Sequence, residues 1–302
     1  MRSVGAVVLT IASMFLLTAP VSEDESVHNW FADDTNLIVE ISLPDLMDLF
    51  AEEVFGGIGE SISDDIATEL LDHVKKVYVG VPGEFSGIEQ DDEIYILLKT
   101  DGNANSLASI VEESAEELEA ALVDEGLYEI KHRNEGNESV FIADAHDGMI
   151  VAGFRSGIKK YRGVISGEIP DASNNSDLVS LRKKLNAEDD VLVYGTSFPD
   201  EIGLIDLESF AFSLEYHDRI LELSLFLKTD DEKALDKIQN MIEGIKSLAG
   251  VFDETGAFEN ILSGLNIDRR ADGLKLTLTL PISFLRDMEG NRLVMNDLPF
   301  SI

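Results

Sequence analysis

Leu37 to Asp45 reads LIVEISLPD, and Val191 to Asp200 reads VLVYGTSFPD. Both are apolar runs of strand composition that end in Ser, then Leu or Phe, then Pro-Asp. Two further matches follow in the same order. Glu93 to Asp101 (EIYILLKTD) resembles Glu222 to Asp230 (ELSLFLKTD), and Ala145 to Val151 (AHDGMIV) resembles Ala271 to Leu276 (ADGLKL). The offsets are about 155, 129 and 125 residues, so the second copy is the shorter. The difference falls on Leu46 to Phe55 and Asp64 to Val74, helical patterns with no long counterpart after Asp200. Three matches in register predict an internal duplication.

Within each copy the periodicity changes from strand to helix. Val77 to Val81 and Glu93 to Thr100 read as strands. Leu107, Ile110, Val111, Leu118, Ala121 and Leu122 recur at helical spacing, with Glu112, Glu113, Glu116 and Glu117 between them, and Gly126 is the expected stop. The second copy repeats the stripe at Ala234, Ile238, Met241, Ile242, Ile245 and Leu248, before Gly250. Hairpins are predicted for Ser139–Asp144 with Met149–Phe154, Ser209–Tyr216 with Arg219–Thr229, and Leu265–Arg270 with Leu274–Leu280. Strands joined by tight turns are antiparallel. The expected class is α+β: two similar units of largely antiparallel sheet with helices packed on one face.

The boundaries that follow are a signal peptide or signal-anchor at 1–22, an acidic tether at 23–35, and a first α+β repeat at 36–166. A connector at 167–189, a second repeat at 190–290 and a tail at 291–302 complete the chain. Trp30 and Phe31 are expected to pack back onto the body. The connector should hold a short helix from Asp177 to Leu185, with Ser176 as its cap.

Met1-Arg2-Ser3 is a basic start, Val4 to Leu17 is apolar without charge, and Thr18 to Ser22 is a weak cleavage region. That is the grammar of an export signal. Pro20 disfavours cleavage after Ala19, so a retained anchor at residues 4–21 is the rival reading. Either way the body is expected outside the cytoplasm, in the periplasm or at the cell surface. The membrane is touched only through an uncleaved N-terminal segment.

The 302 residues include 59 acidic and 23 basic side chains, a formal net charge of −36. Such a surface repels phosphate backbones, so nucleic acid is not an expected partner. The small basic groups Lys75-Lys76, Lys159-Lys160 with Arg162, Arg182-Lys183-Lys184 and Arg269-Arg270 read as solvated element ends. An acidic, lysine-poor surface suits high salt and predicts a halophilic or marine source; the alternative is an ordinary acidic exported protein or a weak collector of divalent cations. The hydrophobic fraction of 44% is enough for a real core. With no cysteine, a disulfide framework, a thiolate zinc site, a cysteine nucleophile and a lipidated N-terminal cysteine are all excluded.

One motif has metal chemistry. Asp101, Asn103, Asn105 and Glu112 occupy positions one, three, five and twelve of a calcium loop, which would make calcium the one cofactor. Ser106 stands where the loop needs glycine, and a strand precedes it. The matching turn, Asp230-Asp231-Glu232-Lys233, lacks the ligand spacing. Helix capping by Asp101, Asn105 or Ser106 is the preferred reading. His28, His73, His132, His146 and His217 share no metal spacing and read as exposed turn residues. Gly163 to Gly167 does not make a nucleophile elbow, and no phosphate-binding glycine loop is present. Carboxylate pairs such as Asp64-Asp65 and Asp189-Asp190 are expected by number in so acidic a chain.

From about Asn36 to Met288 the pattern is similar to bacterial exported proteins of unknown function built from a duplicated α+β unit. The resemblance rests on the repeat and implies no activity and no site residues. The expected function is therefore an exported, non-enzymatic binding or scaffold module of the cell envelope. Its partner would be a protein or small molecule outside the cytoplasm. The alternatives are an extracytoplasmic hydrolase using carboxylates, or a membrane-tethered sensor or chaperone. An enzyme should show a cleft with convergent polar groups and a carboxylate of raised pKa.

Overall fold

The computed structural model describes residues 27–42, 74–83, 93–100, 120–124, 126–131, 139–186, 188–196, 207–217, 219–252, 262 and 264–281. Expectations that fall on other residues, including Leu118 and the two helical inserts, lie outside them.

The strands are β1 (Thr35–Ser42), β2 (Val74–Pro82), β3 (Tyr95–Thr100), β4 (Ala120–Asp124), β5 (Leu127–Lys131) and β6 (Ser139–Asp144). They continue with β7 (Met149–Gly153), β8 (Val191–Gly195), β9 (Ser209–His217), β10 (Ile220–Lys228), β11 (Leu265–Arg270) and β12 (Gly273–Pro281). The described helices are α1 (Arg155–Ile165), α2 (Ser176–Arg182) and α3 (Glu232–Phe252). The class is α+β on an antiparallel sheet, as the periodicity predicts.

The twelve described strands form one sheet, in the order β11-β12-β10-β9-β8-β1-β2-β3-β7-β6-β5-β4. The two units expected from the sequence are therefore halves of a single sheet. They join through antiparallel pairing of β1 with β8, where Val39 faces Val193. Outward from that pair one half runs β1-β2-β3-β7-β6 and the other β8-β9-β10-β12-β11, the same plan in both directions. Joining the first strands of the halves removes two unpaired edges that separate sheets would each expose.

Side chains alternate across the sheet. Ile38 and Glu40 point to one face, with Tyr78 and Tyr194 beside them; Leu37, Val39 and Ile41 point to the other, with Val77, Val79 and Val191. Helices lie on both faces, not on one. Ile158 of α1 and Leu178 and Leu181 of α2 pack on Ile38, Tyr78 and Leu97. Leu235, Ile238 and Ile242 of α3 pack on the opposite face, over Leu227 and Leu274.

Several local expectations are corrected. Ala121 and Leu122 stand on β4, and Gly126, at φ +65°, turns β4 into β5 instead of stopping a helix. Pairing of Ala121 with Glu129 and of Leu122 with Tyr128 overrides a helical spacing that these two residues only extend. Asn175, not Ser176, caps α2, accepting from the Leu178 amide at 3.2 Å. Helix α1 has no cap signal and carries two glycines, so its sequence did not announce a helix. Gly157 is required there: a Cβ would collide with the Ile94 carbonyl, so glycine lets α1 lie against the start of β3.

Residues 27–35, read as a tether, belong to the core. Val27–Trp30 forms a 3-10 turn, Ala32 bridges to Asp171, and Trp30 and Phe31 are buried. Phe31 occupies the space where Gly80 has no side chain. The connector is likewise packed: Ala172, Leu178 and Leu181 are fully buried.

Candidate functional site

Among the described residues, the most buried ion pair sits where the two halves meet. Glu40, in the middle of β1, is 5% exposed and lies between Tyr78 of β2 and Leu192 of β8. Arg182, at the last turn of α2, donates from Nε to Glu40 Oε1 at 2.6 Å and from Nη2 to Oε2 at 3.3 Å. The Tyr194 hydroxyl donates to the same Oε1 at 2.9 Å. One carboxylate thus binds the first half, the connector and the second half together. A buried charge is tolerated when paired and hydrogen-bonded in this way.

The surrounding groups are held in their neutral forms. Burial, and then the Glu40 carboxylate, pushes the phenols of Tyr78 and Tyr194 above their ordinary range. The His28 ring lies 5.8 Å from that of Tyr194. Burial lowers its pKa, against the attraction of Glu40. His28 is thus a buried residue of the core, correcting the exposed reading. His146 and His217 are exposed as expected; His73 and His132 lie outside the described residues.

A second cluster ties the N-terminal segment to α1. Lys160 is 7% exposed, and its Nζ lies 2.7 Å from Asp34 and 2.8 Å from Glu93. Burial opposes its charge, but hydrogen bonds to the two carboxylates outweigh that and raise its pKa. Tyr95, beneath it on β3, donates to the Trp30 carbonyl at 2.8 Å and stacks on Phe31. Lys160 and Arg182 are thus paired within the core, contrary to the solvated reading, while Lys159, Arg162, Lys183, Arg269 and Arg270 of the same groups are exposed as expected. Lys184 meets Asp272 at 2.5 Å, Lys228 meets Asp177 at 3.0 Å, and Arg269 meets Asp236 at 2.5 Å. Asp189 and Asp190 are also buried; Asp190 accepts the Tyr216 amide at 2.6 Å, and its carbonyl accepts that of Ser42.

Asp101, Asn103, Asn105 and Glu112 lie outside the described residues, as does the capping alternative at that turn. At the matching turn of the second half, Asp231 accepts the Lys233 amide at 2.9 Å and caps α3. Among the described residues no group of three or more His, Asp or Glu side chains could hold a metal ion. No described helix is long and apolar enough to cross a membrane.

No protein-family model matches the chain, and neither does any curated protein. Solved structures do. Crystal form III of TP0453 superposes with a TM-score of 0.52 at 9% identity, covering 89% of this chain and 99% of that one. Crystal form I of TP0453 gives 0.52 at 10% identity over the same shares. The fold is similar to that of TP0453. At this identity the similarity is one of fold, spanning TP0453 almost end to end.

Sequence reasoning singled out neither Glu40 nor Lys160. One weak signal was there: an acid inside an apolar strand, Leu37-Ile38-Val39-Glu40-Ile41, demands a buried partner.

Proposed function

We propose that this protein is an exported, non-catalytic binding or scaffold module of the bacterial cell envelope, built by internal duplication. The observation that carries the reading is the use made of Glu40. The oxygens of this buried carboxylate are taken by Arg182 and Tyr194, which join the halves of the sheet. A catalytic acid or base must reach a reacting atom. The basic start and apolar run of residues 2–17 support export. The common strand order of the halves supports duplication.

Residues 1–30 fused to a reporter that works only outside the cytoplasm should give activity, and N-terminal sequencing should separate cleavage near Ala19 to Ser22 from a retained anchor. Full-length protein in the soluble cytosol would overturn the export reading. Turnover of ester, phosphoester or glycoside substrates that a carboxylate variant abolishes would favour the hydrolase.

A further inference from the structure

Helix α1 reads RSGIKKYRGVI, four bases and no acid, in a chain with 59 acids against 23 bases. The other two described helices mix the signs: α2 carries Asp177, and α3 carries Glu232, Asp236 and Glu243. The inner face of α1, with Gly157, Ile158, Tyr161 and Val164, is buried against the 27–30 turn, β3, β6 and β7. Lys160 belongs to that inner side and is held by Asp34 and Glu93. Arg155, Lys159 and Arg162 are exposed. They stand at positions i, i+4 and i+7, within about 60° of the helix circumference and about 6 and 4.5 Å apart along its axis. Among the described residues none of the three meets a carboxylate. Arg155 lies 5.8 Å over the Phe141 ring, a contact that involves no anion. It also opens the helix, where the macrodipole disfavours a positive charge, so helix stability does not account for it.

We propose that Arg155, Lys159 and Arg162 form a docking stripe for an acidic segment of a partner protein, whose carboxylates lie along the outer face of α1. This rests on the reading of the chain as a binding module and names the surface and the partner chemistry. One exposed ion pair contributes little, because holding two side chains together costs entropy. Three bases on a helix fixed by its buried face act on one ligand together. The two arginines can each hold a carboxylate through paired N–H donors, and the lysine between them adds a point charge. The extent of the charge selects the occupant. The stripe is about 10 Å long on a molecule of net charge −36, and fields decay over about 8 Å at physiological salt. A narrow segment can lie on the stripe alone. An anionic membrane or a nucleic acid brings a long array of anions against the acidic remainder of the molecule and is repelled. A second copy of the chain brings a charge of −36 of its own.

The test uses the full chain and a labelled peptide of alternating glutamate and alanine. Fluorescence anisotropy at low ionic strength should show binding that weakens as sodium chloride is added. Lys159→Glu with Arg162→Glu should weaken it at least tenfold with an unchanged melting curve, since both side chains are exposed. If that curve shifts, Lys159→Gln with Arg162→Gln replaces the pair. Lys183→Glu with Lys233→Glu makes the same change of net charge at exposed bases on other elements, and should leave binding within about twofold. Equal weakening by this second pair would reduce the effect to net charge and overturn the proposal. So would undiminished binding by the α1 variants, or no binding by the unmodified chain. Displacement of the peptide by inorganic phosphate at matched charge would assign the stripe to a small anion, and binding to phosphatidylglycerol vesicles that the α1 variants lose would assign it to a membrane; either overturns the proposal. None of these outcomes bears on export, which the reporter fusion decides separately, or on catalysis, which the turnover assays decide.

Discussion

Glu40 and His28 show how single side chains join distant parts of this chain. Glu40 meets partners 142 and 154 residues away, and His28 senses the same centre from the N-terminal turn. The charged and polar groups around His28 are Glu40, Arg182, Asp171 and the Leu178 backbone, with the Tyr194 ring beside it. Because burial lowers its folded pKa below the ordinary 6.5, the unfolded ring binds more protons as pH falls through that region. Its contribution to stability is full above about 6.5 and is lost as pH falls from there through the folded value. Acidification also protonates carboxylates across the chain, so the comparison is with His28→Phe. The stability of the natural chain relative to this variant should fall between pH 7.5 and pH 5 in urea titrations. A constant difference would mean that the ring titrates alike in both states.

Helix α3 carries two kinds of apolar residue that periodicity does not separate. The stripe from Ala234 to Leu248 reads as one face, yet Ile238 and Ile242 are buried while Met241 and Ile245 are exposed. The sheet accepts only a part of the helix circumference, and which part depends on how the helix is rolled against β10 and β12. Ile242→Ala should cost on the order of 2–5 kcal/mol. Met241→Ala should change stability by no more than about 0.5 kcal/mol. Chemical denaturation of both variants checks the contrast; equal losses would mean that α3 is rolled differently on the sheet.

At the scale of the whole molecule, continuity of the sheet and excess negative charge act against each other. β1–β8 pairing and the Glu40 cluster make the halves share hydrogen bonds and core, so thermal unfolding should be a single transition. Two resolved transitions would mean that each half folds by itself. The charge of −36 repels itself in the folded state, and unfolding relieves it. Sodium chloride should therefore raise the melting temperature, with most of the gain complete by about 1 M, where the Debye length has fallen from about 10 Å at 0.1 M to about 3 Å. A melting temperature that does not rise would show that the carboxylates are already compensated, and the halophilic expectation would fail.

The hairpins were legible because their information is local. Alternating apolar residues around Asp-Gly or His-Asp turns specify β6–β7, β9–β10 and β11–β12. The sequence by itself therefore determined the class and these three hairpins. It could not determine that the halves share one sheet, because the β1–β8 partnership is a choice between two edges far apart in the chain. Nor could it mark Glu40 among 59 acids or Lys160 among 23 bases as structural, since burial and pairing of a charge are properties of the assembled core. Strand β4 is a separate case: Ala121 and Leu122 continue a helical spacing but pair with β5 across a turn at Gly126. Pairing between distant parts of the chain decided the β1–β8 seam and the burial of Glu40 and Lys160, and its energy is not carried by any short stretch of chain.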